Sequence, residues 1–332
     1  MDANTSKIVA VIGGTGNLGS SVARSLHDNP QFRVRVISRD PSSAKAKKLI
    51  DSGIDVVQAD CWETGQLIEA FKGCWGVFIN IDSDAPNFKQ RIGPSELQMG
   101  KGIVDAAVKA GIKHAVHASL PAAPELTKGQ VPVLAFDDKS AISKYLLKPG
   151  KFETAAIVSA AWFLENAFDP KYTAAFGGFA MIKDAEGYLT WQTPAMGNNP
   201  ESVPWLAVAD DYGDFVHGVL LDPQRWNGCY IHGVSDSSSF AEMTAKFEEV
   251  TGKPARYKEV KTGGLSAADE FKTKEVNGLF DLMHAIKGNF FNGVPTEHEH
   301  ARLLKKATAE ARQSNISLKP MTLEQFFQKY AT

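Results

Sequence analysis

The chain has 332 residues, of which 43% are hydrophobic and 22% charged, and its 36 Lys and Arg against 38 Asp and Glu give a net charge of −2. This balance excludes the clustered basic surface that sequence-independent binding to nucleic acid or to an anionic membrane requires. The length fits one large α/β domain, or a core with a smaller lobe. Three cysteines at no metal-ligand spacing and a polar N-terminus without a signal-peptide pattern predict a cytoplasmic protein without a metal site.

The first 160 residues alternate short apolar runs with amphipathic segments, a pattern typical of parallel strands joined by helices. Strands are predicted at about Lys7–Gly13, Phe32–Ser38, Ile54–Ala59, Trp75–Ile79, His114–Ser119 and Thr154–Ser159. Helices are predicted between them at Leu18–His27, Ser42–Ser52, Gln66–Lys72, Glu96–Ala110 and Asp138–Lys148. The strands lack alternation of polar and apolar residues, as expected where helices cover both faces of a sheet. The sequence therefore predicts an α/β fold with a doubly wound parallel sheet over residues 1–160.

The second half of the chain, residues 161–332, is rich in aromatic residues and in glycine-containing turns. We expect it to form a smaller α/β lobe over the carboxyl edge of the sheet, with segments near residues 203–234 returning to the core. The predicted elements are strands at Cys229–Val234 and Ala255–Val260 that return to the sheet or its edge, a helix near Ser239–Thr251, and helical stretches at Leu265–Phe291 and Thr296–Tyr330.

A glycine-rich segment, Gly13–Gly19, follows the first predicted strand and leads straight into a helix. Gly13 suits a tight turn, Gly16 lets backbone amides approach a pyrophosphate, and Gly19 permits close packing of the helix on the strand. The spacing is G-x-x-G-x-x-G, and a tight turn without a ligand is the alternative. The candidate contacts to a dinucleotide in this segment are Gly13, Thr15, Gly16, Asn17, Leu18 and Gly19.

The end of the second predicted strand is the point at which a dinucleotide-binding protein contacts the adenosine ribose. An acidic residue there binds the 2′-hydroxyl of NAD, whereas an arginine accommodates the 2′-phosphate of NADP. Arg39 follows Ser38 at this point, and a guanidinium pairs bidentately with a phosphate. Lys45, Lys47 and Lys48 on the next predicted helix extend the positive charge. We therefore predict NADP(H) as the cofactor, with a merely solvated Arg39 as the alternative.

The glycine segment and the Ser38-Arg39 tip are accompanied by further segments at Gly53–Asp60, Gly73–Asn80, His117–Pro121, Ala160–Asn166, Val203–Gly213 and Ser239–Lys253. In combination they resemble the NmrA-like family of atypical short-chain dehydrogenases over roughly Lys7 to Lys261. The resemblance implies a Rossmann-type NADP-binding domain with a small substrate lobe. It also implies further cofactor contacts at Asp60, Cys61 and Asn80. Asn166 is a polar residue among apolar neighbours and is a candidate contact to the cofactor or the substrate.

Ordinary short-chain dehydrogenases use a Tyr four residues before a Lys on one face of a helix. The match Tyr257–Lys261 lies in a predicted strand, where residues four apart are separated by about 13 Å, and is therefore a coincidence. After the fifth strand, Lys139 fits the lysine of this pair, but Ala135 stands where the tyrosine is expected. Lys139 is expected to bind the nicotinamide ribose, with an exposed lysine near a helix N-terminus as the alternative. The resemblance to reductases that rely on the lysine alone also implies a role for Lys139 in proton transfer.

Ser119 and His117 lie two residues apart and so on one face of the fifth predicted strand, with Ser119 at the carboxyl end where ligands of such sheets bind. His117 is a candidate to exchange a proton near neutral pH, unless it is a satisfied core residue. The remaining candidates are apolar residues. They either line a pocket that excludes water from hydride transfer or belong to the core of the second lobe. They are Leu120, Pro121, Trp162, Phe163 and Phe168.

Two functions follow from these observations. The first is an NADP(H)-dependent reductase of a small apolar carbonyl, imine or conjugated alkene, which the aromatic second half favours. The second is a non-catalytic NADP(H)-sensing regulator that acts through protein partners, which the missing tyrosine favours and which the family resemblance also implies. We favour the enzyme; a regulatory protein partner and a homodimer stay open, whereas nucleic acid and membrane partners are not expected.

Overall fold

A central parallel sheet organises the fold. The structure is a computed structural model that describes residues 6–89, 93–267, 269–312 and 316–332. The described part of the chain forms strands β1 (Lys7–Ile12), β2 (Phe32–Ser38), β3 (Asp55–Gln58), β4 (Gly76–Ile79), β5 (His114–Ser119), β6 (Thr154–Ala160), β7 (Trp162–Phe163), β8 (Leu189–Thr193), β9 (Val203–Leu206), β10 (Tyr230–Gly233), β11 (Asp236–Ser238) and β12 (Ala255–Glu259). Seven of them form a parallel sheet in the order β10-β6-β5-β4-β1-β2-β3.

Helices cover both faces of this sheet. The helices of the described residues are α1 (Asn17–His27), α2 (Ala44–Asp51), α3 (Thr64–Phe71), α4 (Pro86–Lys89), α5 (Glu96–Lys109), α6 (Ala123–Leu126), α7 (Leu134–Leu146), α8 (Pro170–Thr173), α9 (Gly213–Leu221), α10 (Phe240–Thr251), α11 (Glu270–Ala285), α12 (Glu299–Arg312) and α13 (Leu323–Tyr330). Helices α1, α9 and α12 pack together on one face, and α3, α5 and α7 pack together on the other. The predicted doubly wound α/β fold is therefore confirmed.

The apolar strand patterns gave accurate bounds in the first half. Strands β2 and β5 have the predicted ends, and the other four predicted strands differ by a residue at one or both ends. In the second half, β10 joins the main sheet beside β6, as expected for a returning segment.

Two strands expected in or beside the main sheet lie elsewhere. The prediction that Ala255–Val260 returns to the sheet or its edge is wrong, because β12 pairs with β8 in a separate two-stranded sheet in which Tyr257 lies opposite Trp191. Likewise β9 pairs with β7 and β11 in a three-stranded sheet. Of residues 203–234, β10 enters the main sheet, and α9 packs on α1. Both small sheets surround an aromatic core, and these strands pack against that core instead of joining the main sheet.

The aromatic core is continuous with one face of the central sheet. Trp162, Trp191 and Phe240 contact one another with ring centroids 5.5–6.0 Å apart. They belong to the same buried cluster as Val9 and Val11 of β1. The two halves of the chain therefore share one hydrophobic core.

Within the described residues, no helix is both long and apolar enough to cross a membrane.

This shared core predicts that both halves unfold together. Leu206 of β9 is fully buried, and we expect Leu206→Ala to lower the free energy of unfolding by about 2–5 kcal/mol through lost burial and a residual cavity. Denaturant titration is followed by tryptophan fluorescence and by far-UV circular dichroism, and both transitions shift together. Leu318→Ala, at a side chain that is 52% exposed, changes the free energy of unfolding by less than about 0.5 kcal/mol. A shift in fluorescence alone contradicts a common core.

Candidate cofactor and substrate cleft

One cleft of about 860 Å³ opens at the carboxyl ends of the central strands. The loops after β1, β2, β3, β4 and β5 line it from the first half of the chain. Phe163, Tyr172, Phe271, Lys272 and Glu275 line it from the second half. The volume lies in the range of small-molecule and cofactor sites, and the carboxyl edge of a parallel sheet is where such ligands bind.

The glycine segment forms one wall of the cleft and depends on close backbone packing. Gly13 has a positive φ of 74°, and a Cβ there would lie 2.4 Å from the carbonyl oxygen of Asn80. A Cβ on Gly19 would lie 2.2 Å from the carbonyl oxygen of Gly13, so Gly19 serves the packing of α1 and does not line the cleft. The predicted contacts that do line it here are Gly13, Thr15, Gly16, Asn17, Leu18 and Asn80.

The loop after β3 contributes one of its two predicted contacts. Cys61 lines the cleft, and burial raises the pKa of its thiol to about 11, so the group is a neutral contact surface. Asp60 does not line the cleft, and its carboxylate accepts a hydrogen bond from the backbone N–H of Trp62.

The loop between β2 and α2 forms a polar end of the cleft. Ser38, Arg39, Ser43 and Lys45 line it, whereas the predicted extension of the basic patch to Lys47 and Lys48 lies outside. Arg39 and Lys45 are solvent-exposed. Asp40 also lines this end, which therefore presents two cations, one carboxylate and two hydroxyls within one loop and helix start.

Asp40 lies beside Arg39 in the same loop. Hydrogen bonds from the side chain and backbone of Ser42 lower the pKa of the Asp40 carboxyl, which is therefore ionised at neutral pH. Its Oδ1 atom accepts both bonds at 2.9 and 2.5 Å. The carboxylate is thus engaged by Ser42 within its own loop.

Lys139 lines the cleft from α7, and its side chain is buried. Its Nζ donates a 2.8 Å hydrogen bond to Glu96 Oε1 and a 2.7 Å bond to the carbonyl oxygen of Ile81. The exposed-lysine alternative is therefore wrong. Neither partner was among the candidates from the sequence, since Glu96 lies 43 residues away at the start of α5.

Helix α7 begins at Leu134, four residues before its predicted start at Asp138. Glu275 of α11 explains the earlier start, because its carboxylate accepts the backbone N–H groups of Leu134 and Ala135 at 3.0 and 3.3 Å. An N-terminal turn gains stability when such a partner satisfies its free N–H groups. The cap comes from 141 residues away, so local sequence patterns contain no signal for it.

Ser119 lines the cleft at the end of β5, and a hydrogen-bond chain lies behind it. The Ser143 hydroxyl donates to Ser119 Oγ at 2.8 Å, and His117 Nδ1 lies 2.8 Å from Ser143 Oγ. The Ser143 hydroxyl also lies 3.1 Å from the carbonyl oxygen of Lys139. When its hydrogen goes to Ser119, the imidazole donates from Nδ1 and the hydrogen of Ser119 is left to donate onward. In this structure the Ser119 hydroxyl donates to the carbonyl oxygen of Leu120, with 3.3 Å between the two oxygen atoms.

His117 itself is fully buried and does not line the cleft. Burial, with a smaller effect of the Lys139 charge, lowers the pKa of His117 to about 3. The imidazole is therefore neutral at neutral pH, and its position behind Ser143 gives it no direct contact with a ligand in the cleft. His117 holds Ser143 in place through the 2.8 Å hydrogen bond between Nδ1 and Ser143 Oγ.

The predicted apolar pocket is only partly present. Leu120 and Phe163 line the cleft. Trp162 points to the opposite side of the short strand β7, into the aromatic core against Phe176 and Phe280. Pro121 and Phe168 do not line the cleft either, and Phe168 packs against Phe326. Asn166, predicted as a cofactor contact, also lies outside the residues that line it.

Several cleft residues were missed by sequence reasoning. The segment after β4 contributes Asp82 and Asp84, and Asp84 pairs with Lys272 of α11 at 3.0 Å while accepting from the Tyr172 hydroxyl at 3.4 Å. The position of Asp82 and Asp84 just after a predicted strand was an available signal. Lys272 and Tyr172 were not accessible in this way, because only the tertiary fold brings them to the sheet edge.

Comparison with known proteins agrees with this architecture. The sequence matches the NmrA-like family over residues 5–327. The NmrA-like family domain-containing oxidoreductase lnaB of Aspergillus flavus is 43% identical over 308 residues, covering 91% of each chain. FrzB, an oxidoreductase of the same description from Cladobotryum sp., is 42% identical over 312 residues and 92% of each chain.

Two solved structures show the same fold at low identity. The negative transcriptional regulator NmrA, in complex with NADP, has a TM-score of 0.75 at 20% identity and covers 98% of this chain and 95% of its own. The NADPH-dependent quinone oxidoreductase QOR2 of Escherichia coli, in complex with NADPH, has a TM-score of 0.65 at 19% identity and covers 98% of this chain and 100% of its own.

The buried neutral state of His117 predicts a specific pH dependence of stability. The pKa of His117 is about 3 in the folded protein and 6.5 in the unfolded chain. The contribution of the neutral imidazole to the free energy of unfolding is therefore present above pH 6.5 and is lost as pH falls toward 3. Between pH 7 and pH 5 we expect wild type to lose about 2 kcal/mol more than His117→Asn, measured by denaturant unfolding at both pH values. Parallel losses in both proteins contradict a neutral His117.

Proposed function

We propose that this protein, which belongs to the NmrA-like family, is an oxidoreductase that uses NADP(H) to reduce a small apolar carbonyl, imine or conjugated alkene. One observation carries the proposal: a single cleft joins the glycine segment, the cationic Arg39 end and the Lys139–Ser119 wall. Relatives more than 40% identical that are named oxidoreductases support it. We assign residues 1–160 to cofactor binding and residues 161–332 to the substrate side, in a cytoplasmic protein.

The cofactor fits the residues of the cleft from end to end. The Gly13 turn has no space for a side chain against Asn80, which lets the backbone approach a ligand closely, and the first N–H groups of α1 suit a pyrophosphate. Arg39 and Lys45 suit a 2′-phosphate, with the Ser38 and Ser43 hydroxyls beside them. The neutral Cys61 contributes to the same cleft between these two parts.

At the opposite end, the chain's own residues position the reacting groups. When bound, NADPH supplies a hydride to the substrate. Lys139 would hold the nicotinamide ribose hydroxyls through the N–H that Glu96 and Ile81 leave unused. Ser119 donates its hydrogen to the substrate oxygen or nitrogen where negative charge develops, and solvent supplies the proton that completes the reduction. Phe163, Leu120 and Phe271 limit access of water.

A sensor of the NADP(H) state is the second candidate function, and Ala135 favours it. Ala135 lines the cleft four residues before Lys139, at the position where ordinary short-chain dehydrogenases place a tyrosine. The transcriptional regulator NmrA, solved with NADP, shares the fold. We favour the reductase because Ser119 offers a hydrogen-bond donor on the cleft wall that does not depend on that tyrosine.

Turnover with NADPH distinguishes the two functions. Purified protein is mixed with NADPH and a panel of quinones, enones, imines and aldehydes, and absorbance of the reduced nicotinamide is followed. We expect turnover with at least one class, and Ser119→Ala lowers kcat about 100-fold by removing a donor to the developing charge. Ser140→Ala, at a buried hydroxyl of α7 outside the cleft, leaves kcat unchanged within about twofold.

Tight NADPH binding without turnover on the whole panel overturns the reductase and supports the sensor. Turnover that is equal in wild type and Ser119→Ala retains the reductase and removes Ser119 from the reaction.

Recognition of the 2′-phosphate is tested at Arg39. We expect Arg39→Ala to weaken NADPH binding about 10- to 100-fold, since a charge-assisted pair is lost, and to leave NADH binding within about twofold. Fluorescence titration of both cofactors measures this. Arg33→Ala is the matched control, because Arg33 is an exposed arginine in β2, the strand that precedes Arg39, and does not line the cleft. Equal weakening of NADH and NADPH binding contradicts phosphate recognition.

A further inference from the structure

The buried ion pair between Lys139 and Glu96 connects the cleft to a residue that does not line it. Their side chains are 9% and 2% exposed, and Nζ lies 2.8 Å from Glu96 Oε1. Lys139 reaches the cleft wall, whereas Glu96 lies behind it in the first turn of α5. The pair thus places a buried carboxylate behind a cleft-lining ammonium.

Stability does not account for this pair. Removing two charges from water carries a large desolvation cost, and replacing a buried ion pair by apolar residues of similar size is often neutral or stabilising. A group whose position matters is the alternative reason to keep such a pair. Of the three N–H donors of the ammonium, Glu96 and the Ile81 carbonyl fix two, which sets the direction of the third.

The carboxylate is itself held in place by the start of α5. Ser95 caps this helix by accepting the N–H of Gln98 at 3.3 Å, and the Gln98 side chain accepts the N–H of Ser95 at 2.8 Å. Such a reciprocal cap fixes the first turn, in which Glu96 is the first residue. Glu96 therefore presents its carboxylate to Lys139 from a rigid element.

We propose that Glu96 is a positioning residue for Lys139: it holds the ammonium so that its remaining N–H meets the ribose hydroxyls on the nicotinamide side of the cofactor. The inference rests on the proposed NADP(H) function and deepens it. Glu96 acts only through Lys139, so its effect is confined to the nicotinamide end of the cleft. The adenosine end at Arg39 does not depend on it.

Two ligands and one double-mutant cycle test this role. NADPH occupies both ends of the proposed site, whereas adenosine 2′,5′-bisphosphate contacts only the phosphate end. We expect Glu96→Gln, which keeps the shape and removes the charge, to weaken NADPH binding about tenfold and to leave binding of the bisphosphate within about twofold. In a Lys139→Met background, Glu96→Gln has no further effect on the NADPH Kd.

The control is Glu69→Gln, which removes the charge of an exposed pair with Lys72 outside the cleft and leaves both ligands unaffected. Thermal melts establish that each variant is folded. Should Glu96→Gln unfold, Glu96→Asp, which keeps the charge on a shorter side chain, takes its place in the same comparison with the same expected pattern.

Three results overturn the positioning role: unchanged NADPH binding in the Glu96 variant, equal weakening of both ligands, or a tenfold effect that persists in the Lys139→Met background. Each leaves the proposed function standing if wild type binds NADPH. If wild type binds neither NADPH nor the bisphosphate, the proposed function itself is overturned. Failure of the positioning role and failure of the proposed function are thereby distinguished.

Discussion

The buried ammonium of Lys139 connects the elements that form the inner end of the cleft. It meets the Ile81 carbonyl after β4 and the Glu96 carboxylate at the start of α5. The helix that carries it is capped by Glu275 from α11. One charge therefore depends on four segments far apart in sequence, and a buried cation of this kind is tolerated only when its partners are in place. The geometry of the nicotinamide end of the proposed site follows from this constraint.

The second half of the chain completes the site because it shares the core of the first. The aromatic cluster around Trp191 continues into the β1 side of the sheet, which fixes α11 relative to α7. From that position α11 contributes both the Glu275 cap and the Lys272–Asp84 ion pair across the cleft. The cleft is thus built by packing between the halves, and residues 1–160 alone lack one of its walls.

The sequence predicted what local patterns determine. Apolar runs gave β2 and β5 to the residue, and the glycine spacing located the turn that approaches Asn80. It failed where distant residues decide. Helix α7 begins early because of Glu275, β12 follows the aromatic core rather than the main sheet, and Trp162 belongs to that core. His117 shows the same limit, since alternation placed it correctly on the face of Ser119, but only the fold shows that Ser143 separates it from the cleft.

The most direct measurement is a crystal structure of the protein grown with NADP⁺. The account predicts that the 2′-phosphate lies between Arg39 and Lys45, that the pyrophosphate lies on the N-terminus of α1, and that the nicotinamide ribose accepts a hydrogen bond from Lys139 Nζ while Nζ keeps its bond to Glu96. A nicotinamide ring that lies away from Ser119 and Lys139, or a cofactor bound outside this cleft, contradicts it.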